Sequence, residues 1–127
     1  MQVNRRNLIL TSAATLLGGT SLAARAQAFP AKAVKIIVPY PAGGATDVIA
    51  RMVAEKLALK WEQPVIVDNR AGAGSTVGAE AAAKSAPDGY TLFETTSAHT
   101  ISASLYSKLS YDPIRDFTAI TLTAIVP

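Results

Sequence analysis

A repeated unit constrains this chain more than any other feature: a short β-branched run, a glycine-bearing loop, then a helical pattern. Val34-Lys35-Ile36-Ile37-Val38 is stopped by Pro39 and predicts a strand. Tyr40 to Ala45 is a Pro/Gly loop. Ile49, Met52, Val53 and Leu57 then recur at helical spacing, with Thr46 or Asp47 placed to cap the helix. The unit repeats from Pro64, which opens a second strand, Val65-Ile66-Val67, ended by Asp68-Asn69. The loop Ala71 to Ser75 leads into an alanine-rich helix from about Thr76 to Lys84. After a Pro87-Asp88-Gly89 turn, Tyr90 to Phe93 predicts a third strand. Thr95 to Thr100 reads as a polar loop, Ile101 to Tyr106 as a short helix and Ile120 to Val126 as a fourth strand. Strand, helix, strand, helix, strand is the rhythm of an α/β domain with a mostly parallel sheet and flanking helices, joined by right-handed crossovers.

The first 28 residues stand apart. Arg5 and Arg6 form a positive start, Leu8 to Ala24 carries no charge, and Ala26-Gln27-Ala28 offers the small-x-small pattern of a cleavage site. Residues 1–28 are therefore expected to be a signal peptide. Arg5-Arg6-Asn7-Leu8 fits a twin-arginine signal, and an ordinary secretory start carries such pairs too. A membrane anchor needs about 20 strongly apolar residues, and Thr11, Ser12, Thr15, Gly18, Gly19, Thr20 and Ser21 dilute this stretch. The chain has no cysteine, which excludes a lipid-modified Cys and any disulfide. Residues 29–127 are expected to be soluble in the periplasm.

Removing the signal changes the charge. Arg5, Arg6 and Arg25 are three of the 12 Lys and Arg, whereas all 9 Asp and Glu follow the cut, so the remaining chain is formally neutral. A nucleic-acid partner would demand a clustered basic excess, so none is expected.

Ligands of open α/β sheets sit at the carboxyl ends of the strands. In Pro39-Tyr40-Pro41-Ala42-Gly43-Gly44-Ala45-Thr46-Asp47 the glycines let backbone approach a ligand. The helix start that follows offers unpaired N–H groups and a positive dipole end. A carboxylate or phosphate suits such a place, and Asp47 disfavours a highly charged anion. Tyr40, between two prolines, is placed to lay its ring against a ligand; Gly43-Gly44 is equally explained as a tight turn. Gly72, Gly74 and Gly78, with Glu94 at the end of the next strand, come close to a dinucleotide fingerprint, although the third glycine is one residue late.

Catalytic machinery is thin. His99 is the single histidine, no Gly-x-Ser-x-Gly elbow presents Ser97, and the ligands for a metal are too few. His99 reads as a hydrogen-bonded loop residue. Trp61, Tyr90, Phe93, Tyr106 and Phe117 read as core or boundary aromatics. No catalytic residue, metal or cofactor is expected, and the chain is not expected to be an enzyme.

Val38-Pro39-Tyr40-Pro41-Ala42-Gly43-Gly44, Asp47, Asn69-Arg70, Gly72-Ala73-Gly74, Gly78, Ala86-Pro87-Asp88-Gly89-Tyr90-Thr91-Leu92, Leu105-Tyr106, Tyr111-Asp112-Pro113 and Asp116-Phe117 together resemble the Bug solute receptors. These are the periplasmic solute-binding proteins of tripartite tricarboxylate transporters. The resemblance implies one lobe of a periplasmic-binding-protein-like clamshell that captures a small organic carboxylate for membrane permease subunits. It carries ligand contacts onto Tyr40, Ala42, Gly43, Gly44, Ala45, Thr46 and Asp47, onto Gly74, Ser75 and Thr76, and onto Thr96, Ser97, Ala98 and His99. Members often have Gly-Gly-Asn where this chain has Gly74-Ser75-Thr76, and a small residue where Glu94-Thr95 stands.

The family's second lobe, and the late segment that completes its first, have no counterpart here, so residues 29–127 are expected to be a truncated N-terminal lobe. Such a lobe leaves about half of a ligand in water, which implies weak binding or none. The alternatives are an exported dinucleotide-dependent oxidoreductase domain and a non-functional receptor remnant.

Overall fold

The computed structural model describes residues 28–125. The signal-peptide reading and its cleavage site fall outside or at the edge of that range. Three strands form one parallel sheet: β1 (Val34–Val38), β2 (Val65–Asn69) and β3 (Thr91–Phe93), in the order β2-β1-β3. Val34 pairs with Val65 and Val38 with Asn69 on one side of β1, and Lys35 with Thr91 and Ile37 with Phe93 on the other. Three helices follow the strands in turn: α1 (Ala45–Trp61), α2 (Thr76–Ala83) and α3 (Ala98–Leu105).

β1 takes the centre because it is apolar on both faces. Side chains alternate across a strand, so Ile36 and Val38 face one side and Ile37 the other, and all three are buried. Ile36 and Val38 cluster with Ala50 and Ala54 of α1, where alanine lets the helix approach closely. The chain moves from β1 to β2 in one direction and then back past β1 to β3. Right-handed crossovers in opposite directions put α1 on one face of the sheet and α2 on the other. Accordingly, α1 packs on β1 and β2, and α2 on β1 and β3. The α/β expectation with a parallel sheet and flanking helices holds.

Four details differ from the sequence reading. β2 runs through Asp68 and Asn69, because both continue the ladder with Ile37 and Val38. The cap of α1 is Gly44, with no side-chain cap bond, so neither Thr46 nor Asp47 holds that position. α3 starts at Ala98, three residues before the expected start, which places His99 in a helix instead of a loop. Residues 118–125 form no strand. A strand exists only where a neighbouring edge takes its backbone hydrogen bonds, and this segment's recorded tie is a side-chain one, Thr123 Oγ1 to Glu94 Oε1 at 2.6 Å.

The aromatics fall into two groups. Phe29 packs against Trp61 and Tyr90, while Phe93, His99, Tyr111 and Phe117 pack together beyond β3.

Candidate functional site

In a parallel sheet all strand ends of one kind share one edge. Here the carboxyl ends of β1, β2 and β3 release loop 1 (residues 39–44), loop 2 (70–75) and loop 3 (94–97) side by side. Loop 1 lies in the middle because β1 does. The chain leaves β1 and β3 in opposite directions, and the crevice between such neighbouring strands is where α/β sheets take ligands. Tyr40 Oη and Thr96 Oγ1, 2.7 Å apart, join loops 1 and 3 across that crevice.

A broad, mostly apolar cavity of about 2120 Å³, lined chiefly by Ile49, Val53, Leu57 and Trp61 of α1 and by residues 113–125, takes in the crevice residues as part of its wall. Ala45 and Thr46 line it from the start of α1, and Thr95, Thr96, Ser97 and His99 from the far side. The first amides of a helix have no intrahelical acceptor, and the first such bond of α1 is Val48 N to Gly44 O at 3.0 Å. The Ala45 and Thr46 N–H groups are thus free donors at the positive end of the helix dipole. With the Thr96 and Ser97 hydroxyls opposite, this arrangement suits a carboxylate held by neutral donors.

The sequence candidates do not all share that wall. Ala42, Gly43 and Gly44 are exposed on loop 1, and Tyr40 packs beside the core while its hydroxyl spans the crevice. Gly74, Ser75 and Thr76 lie on the other side of loop 1, away from the cavity wall, and Ala98 is also off it. Gly74 is covered by Tyr106: a Cβ there would meet the tyrosine hydroxyl at 2.5 Å. Glu94, the acid of the dinucleotide-like pattern, accepts from Thr123. The Ser75 hydroxyl is buried at the start of α2 without a protein partner, as is that of Thr95.

His99 lines the cavity but is held by its surroundings. Its Nε2 donates to Pro113 O at 2.9 Å, since a carbonyl only accepts, and its ring packs on Phe93 and Phe117 at 5.3 and 4.7 Å between centroids. Its visible work is to fasten α3 to the 111–117 turn. Among the described residues there is no group of three or more His, Cys, Asp or Glu that would hold a metal ion. Among them, too, no helix is long and apolar enough to cross a membrane.

Asp47 is turned inward, with 2% of its surface exposed. Its Oδ2 accepts from Gly43 N at 2.8 Å and Arg51 Nε at 2.9 Å, and its Oδ1 from Asn69 Nδ2 at 2.9 Å. The Arg51 bond, then the Gly43 and Asn69 bonds, hold its carboxyl down at about 2, from an ordinary 3.8, against the opposing effect of burial. A carboxyl whose folded value lies below its unfolded one stabilises the fold above the unfolded value and loses that contribution as pH falls through the folded one. Denaturant midpoints should therefore drop between about pH 4 and pH 2, and Asp47→Asn should flatten that drop. Asp88 and Asp112 are also lowered, chiefly by backbone N–H donors, and leave a residual slope in the variant.

Sequence reasoning missed Asn69 and Arg51 as parts of the site. Asn69 was visible as a polar amide at a strand end facing a glycine loop, and Arg51 as the residue one helical turn beyond Asp47. The Tyr40–Thr96 tie gives a smaller expectation. Tyr40→Phe should lower stability by about 1 kcal/mol in a urea titration, because Thr96 keeps a second partner in Ala98 N at 3.3 Å.

The chain is similar to known proteins in sequence and in fold. The family model described as the tripartite tricarboxylate transporter family receptor matches residues 49–127. The protein BugT of Bordetella pertussis is 40% identical over 111 residues, covering 86% of this chain and 34% of that protein. The periplasmic binding protein BugD superposes with a TM-score of 0.67 at 36% identity, over 70% of this chain and 30% of that one. MatC from Rhodopseudomonas palustris with bound malate gives a TM-score of 0.65 at 40% identity, over 71% and 31%. The chain thus spans about a third of the length of the curated relatives it matches.

Proposed function

The chain belongs to the tripartite tricarboxylate transporter receptor family, and from that premise we propose that it takes part in capturing a small organic carboxylate outside the cytoplasmic membrane. Residues 1–28 direct export and are removed. Residues 29–127 form an N-terminal lobe, and the ligand sits in the crevice between loops 1 and 3. The captured acid is handed to membrane permease subunits without any covalent step.

One observation carries this reading. The free Ala45 and Thr46 amides at the start of α1 meet the Thr96 and Ser97 side across a strand-order reversal, on the wall of one cavity. Backbone donors at a helix start favour an anion without presenting a buried cation. The nearest acid, Asp47, has its charge balanced by Arg51 and turned away. Such a site binds reversibly, as a delivery protein must. That MatC carries malate supports the same class of ligand.

The test is thermal unfolding with malate and with its dimethyl ester, which keeps the carbon skeleton and removes the charge. At about ten times the dissociation constant a ligand stabilises by about 1.4 kcal/mol, or roughly 7 °C for a lobe of this size. A rise of that size with about 10 mM malate, and none with the ester, supports the reading. Equal responses to acid and ester, or a larger response to the ester, would overturn it.

A further inference from the structure

We propose that Asp47 acts as a positioning residue for loop 1, never touching the ligand and setting the backbone that does. This rests on the reading of loop 1 as a ligand loop. Asp47 is the third residue of α1, and its side chain turns back toward the helix start. By accepting from Gly43 N it fixes a residue whose φ of +85 is open to glycine and strained for others. A Cβ at Gly43 would meet nothing within 4 Å, and besides the Asp47 bond the loop's own backbone tie is the longer Gly44 N to Pro41 O, 3.4 Å.

Asn69 extends the clamp to the sheet. Its Nδ2 donates to Asp47 Oδ1 and, at 3.1 Å, to Tyr40 O, so one amide joins the end of β2, the start of loop 1 and the first turn of α1. Arg51 closes the ring. Its Nε donates to Asp47 Oδ2 and its Nη2 to Asn69 Oδ1 at 3.1 Å. Three side chains thus satisfy one another, and both ends of loop 1 are held.

Two consequences follow for a bound carboxylate. With Gly43 fixed, the Gly44 turn delivers the Ala45 and Thr46 amides in one direction. With Arg51 on its carboxylate, Asp47 adds no net negative charge beside the anion. A carboxylate placed at a helix start would otherwise compete with the ligand for the same dipole. Asp47 is therefore required for affinity through geometry, and Arg51 through charge balance.

The experiment uses the full chain, labelled with nitrogen-15, and malate as the probe. Wild type, Asp47→Asn and Arg51→Met are compared for the Gly43 amide proton shift at pH 7 and for the slope of loop 1 shifts against malate concentration. In wild type the Gly43 proton is expected downfield, as an amide donating to an ionised carboxylate. Asp47→Asn moves it upfield and reduces the malate slope about tenfold, the order of one charge-assisted hydrogen bond. Arg51→Met keeps the Gly43 shift and still weakens the malate response, because the carboxylate is left unbalanced. A helix cap with a purely structural role would change the melting temperature and leave the malate slope alone.

If wild type itself does not respond to malate, the lobe holds this acid too weakly for the slope to be read, and the Gly43 shift alone decides whether Asp47 anchors the loop. If Asp47→Asn does not fold, Asn69→Ala is measured in its place, with a smaller loss of slope expected. An unmoved Gly43 amide and an unchanged malate slope in the folded variant overturn the proposal.

Discussion

Replacing Gly78 by valine is expected to abolish the cooperative unfolding transition of this lobe. An atom at the Cβ position would lie 2.7 Å from Pro39 Cβ and 2.9 Å from both Pro39 Cα and Arg70 O. Two of these neighbours are backbone atoms at the ends of adjacent strands, so neither yields without moving β1 or β2. Alanine adds only the first of these atoms. Overpacking of that kind costs about 1–3 kcal/mol, which in a lobe of this size lowers the melting temperature by about 10 °C. Gly43→Ala is the comparison: it meets no neighbour and pays for the left-handed backbone alone, about 1 kcal/mol. Thermal melts followed by circular dichroism separate the three. A Gly78→Ala melt within about 2 °C of wild type would mean that α2 does not approach Pro39 this closely. The position matters to the site because Gly78 holds the start of α2 beside loop 1.

Ile37→Ala is the second large effect. Ile37 is 2% exposed at the centre of the middle strand, and removing a buried isoleucine down to alanine costs about 2–5 kcal/mol. Whole domains are stable by only about 5–15 kcal/mol. The buried apolar set among the described residues is also small: Val34, Ile36, Ile37, Val38, Ala50, Ala54, Ala79 and Tyr111. The variant should therefore be largely unfolded at 37 °C in a urea titration extrapolated to water. Ile66 is paired with Lys35, which puts it on the same sheet face as Ile37, but it stands 54% exposed on an edge strand. Ile66→Ala should cost less than about 1 kcal/mol. Similar losses at both positions would contradict the assignment of β1 as the core of the lobe.

The same two isoleucines explain what was legible in the sequence. A run that is apolar on both faces between a helix-breaking Pro39 and a polar Lys32 has one sensible place, the middle of a parallel sheet, and β1 is found there. The helical spacing of Ile49, Met52, Val53 and Leu57 located α1 but said little about which side packs. The residues actually buried are Ala50, Ala54 and Asp47, because close contact with the sheet selects small side chains over large ones. α3 began earlier than expected because its first turn, Ala98-His99-Thr100, carries no apolar periodicity. Its burial comes from Ser102, which bonds back to His99 O, and from His99, whose Nε2 reaches Pro113 O, 14 residues away.

The stretch from Ile120 looked like a strand by composition. Strand propensity describes fitness for a pleated, half-buried surface, and in this structure those residues are exposed beside the β3 end. Within the site, the glycine loops were legible as places of close backbone approach, while the direction of Asp47 was not. Whether a carboxylate at a helix start points outward to a ligand or back into the loop depends on Asn69 and Arg51. Those partners are 22 and 4 residues away, and only the fold brings the first of them near.

The central claim is that a small carboxylate sits at the reversal of strand order between loops 1 and 3. The most direct measurement is the set of intermolecular nuclear Overhauser contacts from the methylene protons of carbon-13-labelled malate to the amides of the nitrogen-15-labelled chain. The expected result is contacts to the amides of Ala45 and Thr46 together with those of Thr96 or Ser97. Contacts confined to another surface, such as the exposed Val48, Met52 and Leu59 side of α1, would contradict it.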